Sequence, residues 1–171
     1  HMIFTGNPGT GKTTIARLVG KYLKAIGALS GGQLVEVSRG DLVGRYTGHT
    51  APLTNSVIQS ALGGVLFIDE AYALAPNPNS EAGFSKEAIA ELVKCMEDYR
   101  DDLIVILAGY EREMQDFIDV NPGLASRIGY RFHFDDFTGE QLVEIFMREL
   151  KSTGFSAGEG IESELLDLFD Y

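Results

Sequence analysis

The chain has a single cysteine, Cys95, among 171 residues. One thiol excludes an internal disulfide framework and fits a reducing compartment. Cys95 falls on a helix candidate with no basic or metal context to make it reactive, so it reads as structural. Histidine is scarce too, and no pair among the three has metal-ligand spacing. No run of about 18 apolar residues exists to span a bilayer as a helix. No secretory leader is visible, because the first residues already form a strand. Basic residues are outnumbered: 14 Lys and Arg against 25 Asp and Glu, a formal net charge of −11. Bulk nucleic-acid binding needs a basic footprint and is therefore disfavoured, although a local basic patch stays compatible with the total. At 44% hydrophobic and 23% charged residues, the composition is that of an ordinary soluble globular chain of one domain or slightly more.

What the chain does have stands at its start. Met2-Ile3-Phe4-Thr5 is a short apolar run, and it feeds into Gly6-Asn7-Pro8-Gly9-Thr10-Gly11-Lys12-Thr13. The octet matches G-x-x-x-x-G-K-[ST], the phosphate-binding P-loop, at every fixed position. Gly9 and Gly11 let the backbone curl. Successive N–H groups then form an anion nest continued by a helix N-terminus. Lys12 supplies a mobile charge for the β- and γ-phosphates, and the Thr13 hydroxyl is placed to ligate Mg2+. Asn7, Pro8, Thr10 and the following Thr14 complete the candidate nucleotide-binding set. The expected cofactors are ATP and Mg2+.

Strand and helix patterns alternate from there. Residues Thr13 to Ile26 read as a helix with Ile15, Leu18, Val19, Tyr22 and Ile26 on one face, stopped by Gly27. Leu34 to Val37 is a strand candidate, Asp41 to Thr50 a Gly-interrupted loop, and Leu53 to Leu62 a helix. Val65-Leu66-Phe67-Ile68 and Leu103 to Ala108 are continuous apolar runs, as strands buried on both faces require. Between them Ala75 to Gly83 reads as a loop, and Ser85 as the N-cap of a helix from Lys86 to about Tyr99, with Ile89, Leu92, Val93 and Met96 inward. Glu111 to Asp119 is a helix ended by Asn121-Pro122-Gly123, and Arg131 to Phe134 the last strand, with His133 outward and structural. Thr138 and Gln141 form a T-x-x-Q capping box for a helix through Leu150 carrying Leu142, Ile145 and Phe146. A final helix starts at Ile161 and runs toward Asp170. The alternation means an α/β fold with a mainly parallel sheet. The division expected is a nucleotide-binding subdomain over residues 1–136 and a partial helical one over 137–171. Both ends read as cut from a longer protein.

A P-loop needs a second half, and Asp69-Glu70 at the end of the Val65–Ile68 run supplies it. An acidic residue there holds Mg2+, a role that fits Asp69. Glu70, next along, can orient or deprotonate the attacking water. The pair points to hydrolysis of a nucleoside triphosphate. Asp41-Leu42-Val43-Gly44 spells a D-x-x-G, yet no N-K-x-D guanine-reading motif exists, so that match is assigned to chance.

With both halves in hand, the sequence resembles the AAA+ ATPases. More narrowly it resembles the CbbX/SpoVK branch of red-type Rubisco activases and stage V sporulation protein K-like ATPases. The resemblance rests on His1 to Arg17, Asp41 to Pro52, Ala61 to Leu74, Leu103 to Tyr110 and Asn121 to Ile128. It implies a three-layer P-loop sandwich with the start of a C-terminal helical lid. It implies a Mg-dependent ATPase working as a ring, a homo-hexamer or a hetero-oligomer with a paralogue, that pulls a protein client through a central pore. Tyr46-Thr47-Gly48 matches the aromatic pore loop. Arg127 stands where the family carries an arginine finger acting on the neighbouring subunit's nucleotide, with Arg131 as the fallback and Ala125 where a further arginine often stands. Ala108-Gly109-Tyr110 replaces the usual polar sensor and leaves Tyr110 as the candidate. The lid's sensor arginine would lie past Tyr171. The implied setting is the cytoplasm, or the plastid stroma in a red-lineage alga. Two rival functions stay open: a nucleic-acid-directed clamp- or helicase-loader, and a nucleotide-gated scaffold with little turnover.

Overall fold

A computed structural model describes residues 1–75, 82–158 and 160–169. The apolar runs become five strands: β1 (Met2–Gly6), β2 (Leu34–Val37), β3 (Val65–Ile68), β4 (Ile104–Gly109) and β5 (Tyr130–Phe134). All pair in parallel in the order β2-β3-β4-β1-β5. Met2 stands opposite Ile106 on one side and Tyr130 on the other. Every residue of β3 is buried, as a central parallel strand covered on both faces must be.

Strand alternation sorts the core into two layers. Val65, Phe67, Phe4, Ile106 and Ala108 face one side, where Ala16 and Leu29 meet them. Leu66, Ile68, Ile3, Val105 and Leu107 face the other, with Ile58, Leu92, Met96 and Phe117. Apart from Leu29, in the loop after α1, those partners sit on α1 (Lys12–Ala25), α3 (Thr50–Ala61), α4 (Ala82–Asp98) and α5 (Glu111–Asp119); the four-residue helices α2 (Arg39–Leu42) and α6 (Pro122–Ala125) precede α3 and follow α5. The result is the three-layer α/β sandwich expected of a P-loop fold.

Several local expectations give way to packing. The helix α1 buries Ala16 and Gly20, while Ile15, Leu18, Tyr22 and Ile26 stay exposed. The reason is proximity: a Cβ on Gly20 would come within 2.9 Å of Gly32 O and 3.2 Å of Val65 Cγ2, so only small residues fit against the sheet. Ser85 is not a cap. The helix α4 starts earlier, at Ala82, because Phe84 packs on the core, and Ser85 is buried within the helix. Part of the expected loop, 76–81, and the expected helix end at Asp170 lie outside the described residues. Within the expected loop 41–50, α2 continues to Leu42 and its Asp41 carboxylate accepts from Ser38 N–H at 2.8 Å and the Ser38 hydroxyl at 3.0 Å. The D-x-x-G aspartate is thus a helix-start cap, held below the usual carboxylate range by those Ser38 bonds.

His1 joins two elements. Its Nδ1 accepts from Val105 N–H at 3.0 Å. The amide can only donate, so the ring proton is on Nε2, which donates to Met96 O at 2.8 Å. Among the described residues no helix is long and apolar enough to cross a membrane.

The chain divides into two compact units, His1–Phe134 and Asp135–Tyr171. The second contains α7 (Gly139–Ser152) and α8 (Ile161–Phe169), packed on each other. The capping box forms as expected: Gln141 N–H donates to Thr138 Oγ1 and Thr138 N–H to Gln141 Oε1. Ile145 and Phe146 of α7 are exposed.

Candidate functional site

In a parallel sheet the loops leaving the strand C-termini converge on one edge, where ligand sites form. The β1–α1 loop there is already wound. Gly9 and Gly11 have φ of 80° and 88°, values that glycine alone takes cheaply. Thr10 is buried and its hydroxyl donates to Asn7 O at 2.8 Å. Lys12 Nζ donates to Gly6 O at 2.9 Å and Asn7 O at 2.6 Å, so the ammonium folds over its own loop. The first turn of α1 has N–H groups with no intrahelical partner, a favourable place for an anion.

At the end of β3, Asp69 N–H donates to Val37 O at 2.9 Å, which continues the ladder. Glu70 then turns left-handed, with φ 48° and ψ 44°. It is the one non-glycine residue with positive φ among the described residues. Such a conformation costs a glutamate about 1 kcal/mol. Consecutive strand residues point to opposite faces; the left-handed turn lets Asp69 and Glu70 both border one cavity. Glu70 N–H also donates to Asp69 Oδ1 at 3.0 Å.

That cavity is about 360 Å³. The loop contributes Gly6, Pro8, Gly9, Gly11, Lys12, Thr13 and Thr14; β3 contributes Asp69 and Glu70; Tyr72, Gly109 and Tyr110 close the side. Asn7 and Thr10 are not among the lining residues; the Thr10 hydroxyl, bonded to Asn7 O, braces the loop. Tyr72 and Gly109 were not singled out by sequence reasoning. Their signal was present only as part of the longer stretch Gly63 to Tyr72 and the Ala108-Gly109-Tyr110 strand end. Among the described residues no three His, Cys, Asp or Glu side chains cluster to hold a metal alone. A hydroxyl from Thr13 and a carboxylate from Asp69 beside a phosphate nest nonetheless fit Mg2+, which takes few protein oxygens and shares substrate phosphates.

Arg127 is not part of this lining. It follows α6, where its Nη1 donates to Gly123 O at 3.1 Å. Its Nε lies 3.4 Å from Glu97 Oε2, an ion-pair distance, but is buried without an aligned hydrogen bond. Arg131 instead donates to Gln115 Oε1 at 3.0 Å. His133 Nδ1 is 3.1 Å from Thr5 Oγ1 and 3.8 Å from Glu111 Oε2.

The loop carrying Tyr46 has a fixed base and an exposed tip. Thr50 and Thr54 are fully buried; Thr50 Oγ1 accepts from Gly44 N–H at 3.0 Å, and the Thr54 hydroxyl donates to Leu42 O at 2.8 Å. Arg45, Tyr46, Thr47 and Gly48 are exposed. The Tyr46 ring meets only His49 edge-on, at 5.5 Å, among the aromatic contacts of the described residues.

The profile of the family described as "ATPase family associated with various cellular activities (AAA)" matches residues 2–136. The chain belongs to the AAA family. Among curated AAA relatives it is 50% identical over 167 residues to stage V sporulation protein K of Bacillus subtilis, covering 98% of this chain and 51% of that protein. It is 53% identical over 145 residues to protein CbbX of Cereibacter sphaeroides, covering 85% and 47%. It is 52% identical over 145 residues to a chloroplastic ribulose bisphosphate carboxylase/oxygenase activase of Cyanidioschyzon merolae, covering 85% and 49%. The chain thus spans about half the length of the curated relatives it matches. The crystal structure of the FIGL-1 AAA domain in complex with ADP aligns with a TM-score of 0.70 at 21% identity, over 99% of this chain and 54% of that one. This likeness shows a shared AAA fold.

Proposed function

We propose that this AAA domain is the ATP-hydrolysing unit of a protein-remodelling motor. The observation that carries the reading is one cavity bordered by both Lys12–Thr13 of the P-loop and Asp69–Glu70 of β3. Lys12, which can leave its own loop carbonyls, takes the β/γ-phosphate charge. Thr13 and Asp69 hold Mg2+, which when bound neutralises phosphate charge. Glu70 orients the attacking water and accepts its proton.

Arg127 completes the neighbouring subunit's site in a ring, stabilising charge that develops on the phosphoryl oxygens. Its place outside its own cavity and its backing by Glu97 support an action in trans. The ring is a hexamer of this chain, or a mixed ring with a paralogue. Tyr46, with Thr47 and Gly48 beside it, grips an extended polypeptide; a fixed base and exposed tip support that role. Tyr110 borders the cavity as the nucleotide sensor. The unit from Asp135 onward is the start of the helical lid. The client is a protein, as the names of the activase relatives imply for them, in the cytoplasm or, in a red-lineage alga, the plastid stroma.

Titration with a fluorescent ATP analogue and a phosphate-release assay on the full-length protein test this. The substitution Lys12→Ala removes tight nucleotide binding, while Glu70→Gln keeps binding and loses about 10²- to 10⁴-fold in turnover. Turnover at the wild-type rate by Glu70→Gln contradicts the assignment.

A further inference from the structure

Arg127 is fixed at two of its three guanidinium nitrogens. Nη1 donates to Gly123 O at 3.1 Å and to Ser126 Oγ at 3.3 Å. Nε is buried and stands 3.4 Å from Glu97 Oε2. The other oxygen of that carboxylate, Oε1, accepts from Arg100 Nη1 at 3.2 Å, which ties Glu97 to the turn after α4. Nη2, with two N–H groups, has no partner among the described residues. A guanidinium is a rigid planar fork. Held at Nη1 and Nε, its plane is set, and Nη2 is the end it offers to an anion.

The packing beneath explains why the two side chains meet. Val93 and Glu97 stand one turn apart on the same face of α4. Gly123, four residues before Arg127, lies against Val93: a Cβ on it would come within 3.3 Å of Val93 Cγ2 and 3.4 Å of Val93 Cγ1. Leu124, next along, is buried in the same core as Leu92 and Met96. With the lower contact that close, α6 sits tight on α4, and Arg127 reaches Glu97 one turn above. A buried Nε without an aligned hydrogen bond costs stability. The Glu97 charge offsets that cost without removing it, so the arrangement calls for a functional explanation and not a stabilising one.

We propose that Glu97 is a positioning residue for Arg127: its carboxylate on Nε, together with Gly123 O on Nη1, sets the guanidinium so that Nη2 meets the phosphate chain bound by the neighbouring subunit. The inference rests on the reading of Arg127 as a finger acting in trans. Glu97 itself touches no nucleotide. Without its charge the guanidinium is anchored at Nη1 alone, and its plane swings about that anchor. A change at Glu97 therefore impairs the neighbour's site and leaves the subunit's own nucleotide contacts as they were.

The test uses the full-length protein. Glu97→Ala lowers kcat about 10-fold through a misplaced finger, while KM and the Kd of a fluorescent ATP analogue stay within about twofold. Because Glu97 works only through Arg127, the double variant Glu97→Ala with Arg127→Ala is no slower than Arg127→Ala alone. Mixing Glu97→Ala subunits with Glu70→Gln subunits raises turnover per intact Glu70 toward the wild-type rate, since each intact base then meets a well-placed finger. A merely structural defect in the Glu97→Ala subunit would not be repaired by its neighbour. Wild-type kcat in Glu97→Ala, a changed KM with kcat unchanged, multiplying losses in the double variant, or no rise on mixing would each overturn the proposal. Should Glu97→Ala not fold, Glu97→Gln, which keeps the length of the side chain and removes its charge, decides by the same measurements. The Arg127→Ala control separates the layers: if it turns over normally, the finger reading itself fails; if it is inactive while Glu97→Ala is normal, only the role of Glu97 falls.

Discussion

Cys95 Sγ donates to Leu92 O at 3.1 Å inside the core. Burial first, then the charges of Asp98 and Glu91, push its thiol up to about 12. A neutral thiol is a poor nucleophile. A thiol reagent at pH 8 should therefore leave the native protein unlabelled and label it stoichiometrically in urea; rapid native labelling would contradict the packing. The raised value also carries a sign for stability. Below an ordinary thiol value of about 8.5 both folded and unfolded states are neutral. Above it the unfolded chain ionises while the folded one does not until about 12, so stability is lost as pH rises across that window. Denaturation midpoints of wild type should fall more steeply between those values than those of Cys95→Ala, in which other titrating groups are unchanged. At the carboxylates the sign reverses: Asp102, which accepts from Ser30 N–H and the Ser30 hydroxyl, is held low by those bonds, and their contribution is lost on acidification.

The crossing of β1 into its loop depends on close approach. Gly6 has φ 139°, and a Cβ there would meet Phe134 O at 2.3 Å. Both strain and a backbone clash follow from Gly6→Ala, so it should cost about 1–3 kcal/mol, read as a lower urea midpoint. At Gly9 a Cβ meets nothing within 4 Å, so Gly9→Ala should cost only the strain of its left-handed φ, about 1–2 kcal/mol. Elements of this kind were readable where one chemical rule dominated. The P-loop spacing, the apolar runs of β3 and β4 and the Thr138–Gln141 box each state their own geometry. The packed face of α1 was not readable, because large apolar residues mark an amphipathic face while contact with the sheet demanded Ala16 and Gly20. Ser85 misled for a related reason: a capping residue type says nothing of Phe84, whose docking extends the helix past it. Tyr72 and Gly109 escaped notice because their meaning is mutual. A tyrosine after an acidic pair and a glycine at a strand end are each ordinary until the fold seats one on the other, so that a Cβ on Gly109 would come within 2.7 Å of Tyr72 Cδ1.

For the whole molecule, the question is whether one subunit holds a complete site. The cavity is bordered by the Lys12–Thr13 loop and by Asp69 and Glu70, and among the described residues its lining includes no arginine. Arg127 is held by Gly123 O and faces Glu97, and the proposed action on the next subunit would make hydrolysis a property of an assembly. The measurement that tests this most directly is ATP turnover by a mixture of two full-length variants. Glu70→Gln subunits lack the base yet present Arg127, and Arg127→Ala subunits keep the base yet lack the finger. Each alone should be nearly inactive, and mixing should restore turnover, because intact bases then face intact fingers across subunit boundaries. Wild-type turnover by Arg127→Ala alone, or a mixture as inactive as its components, would contradict a site shared between subunits.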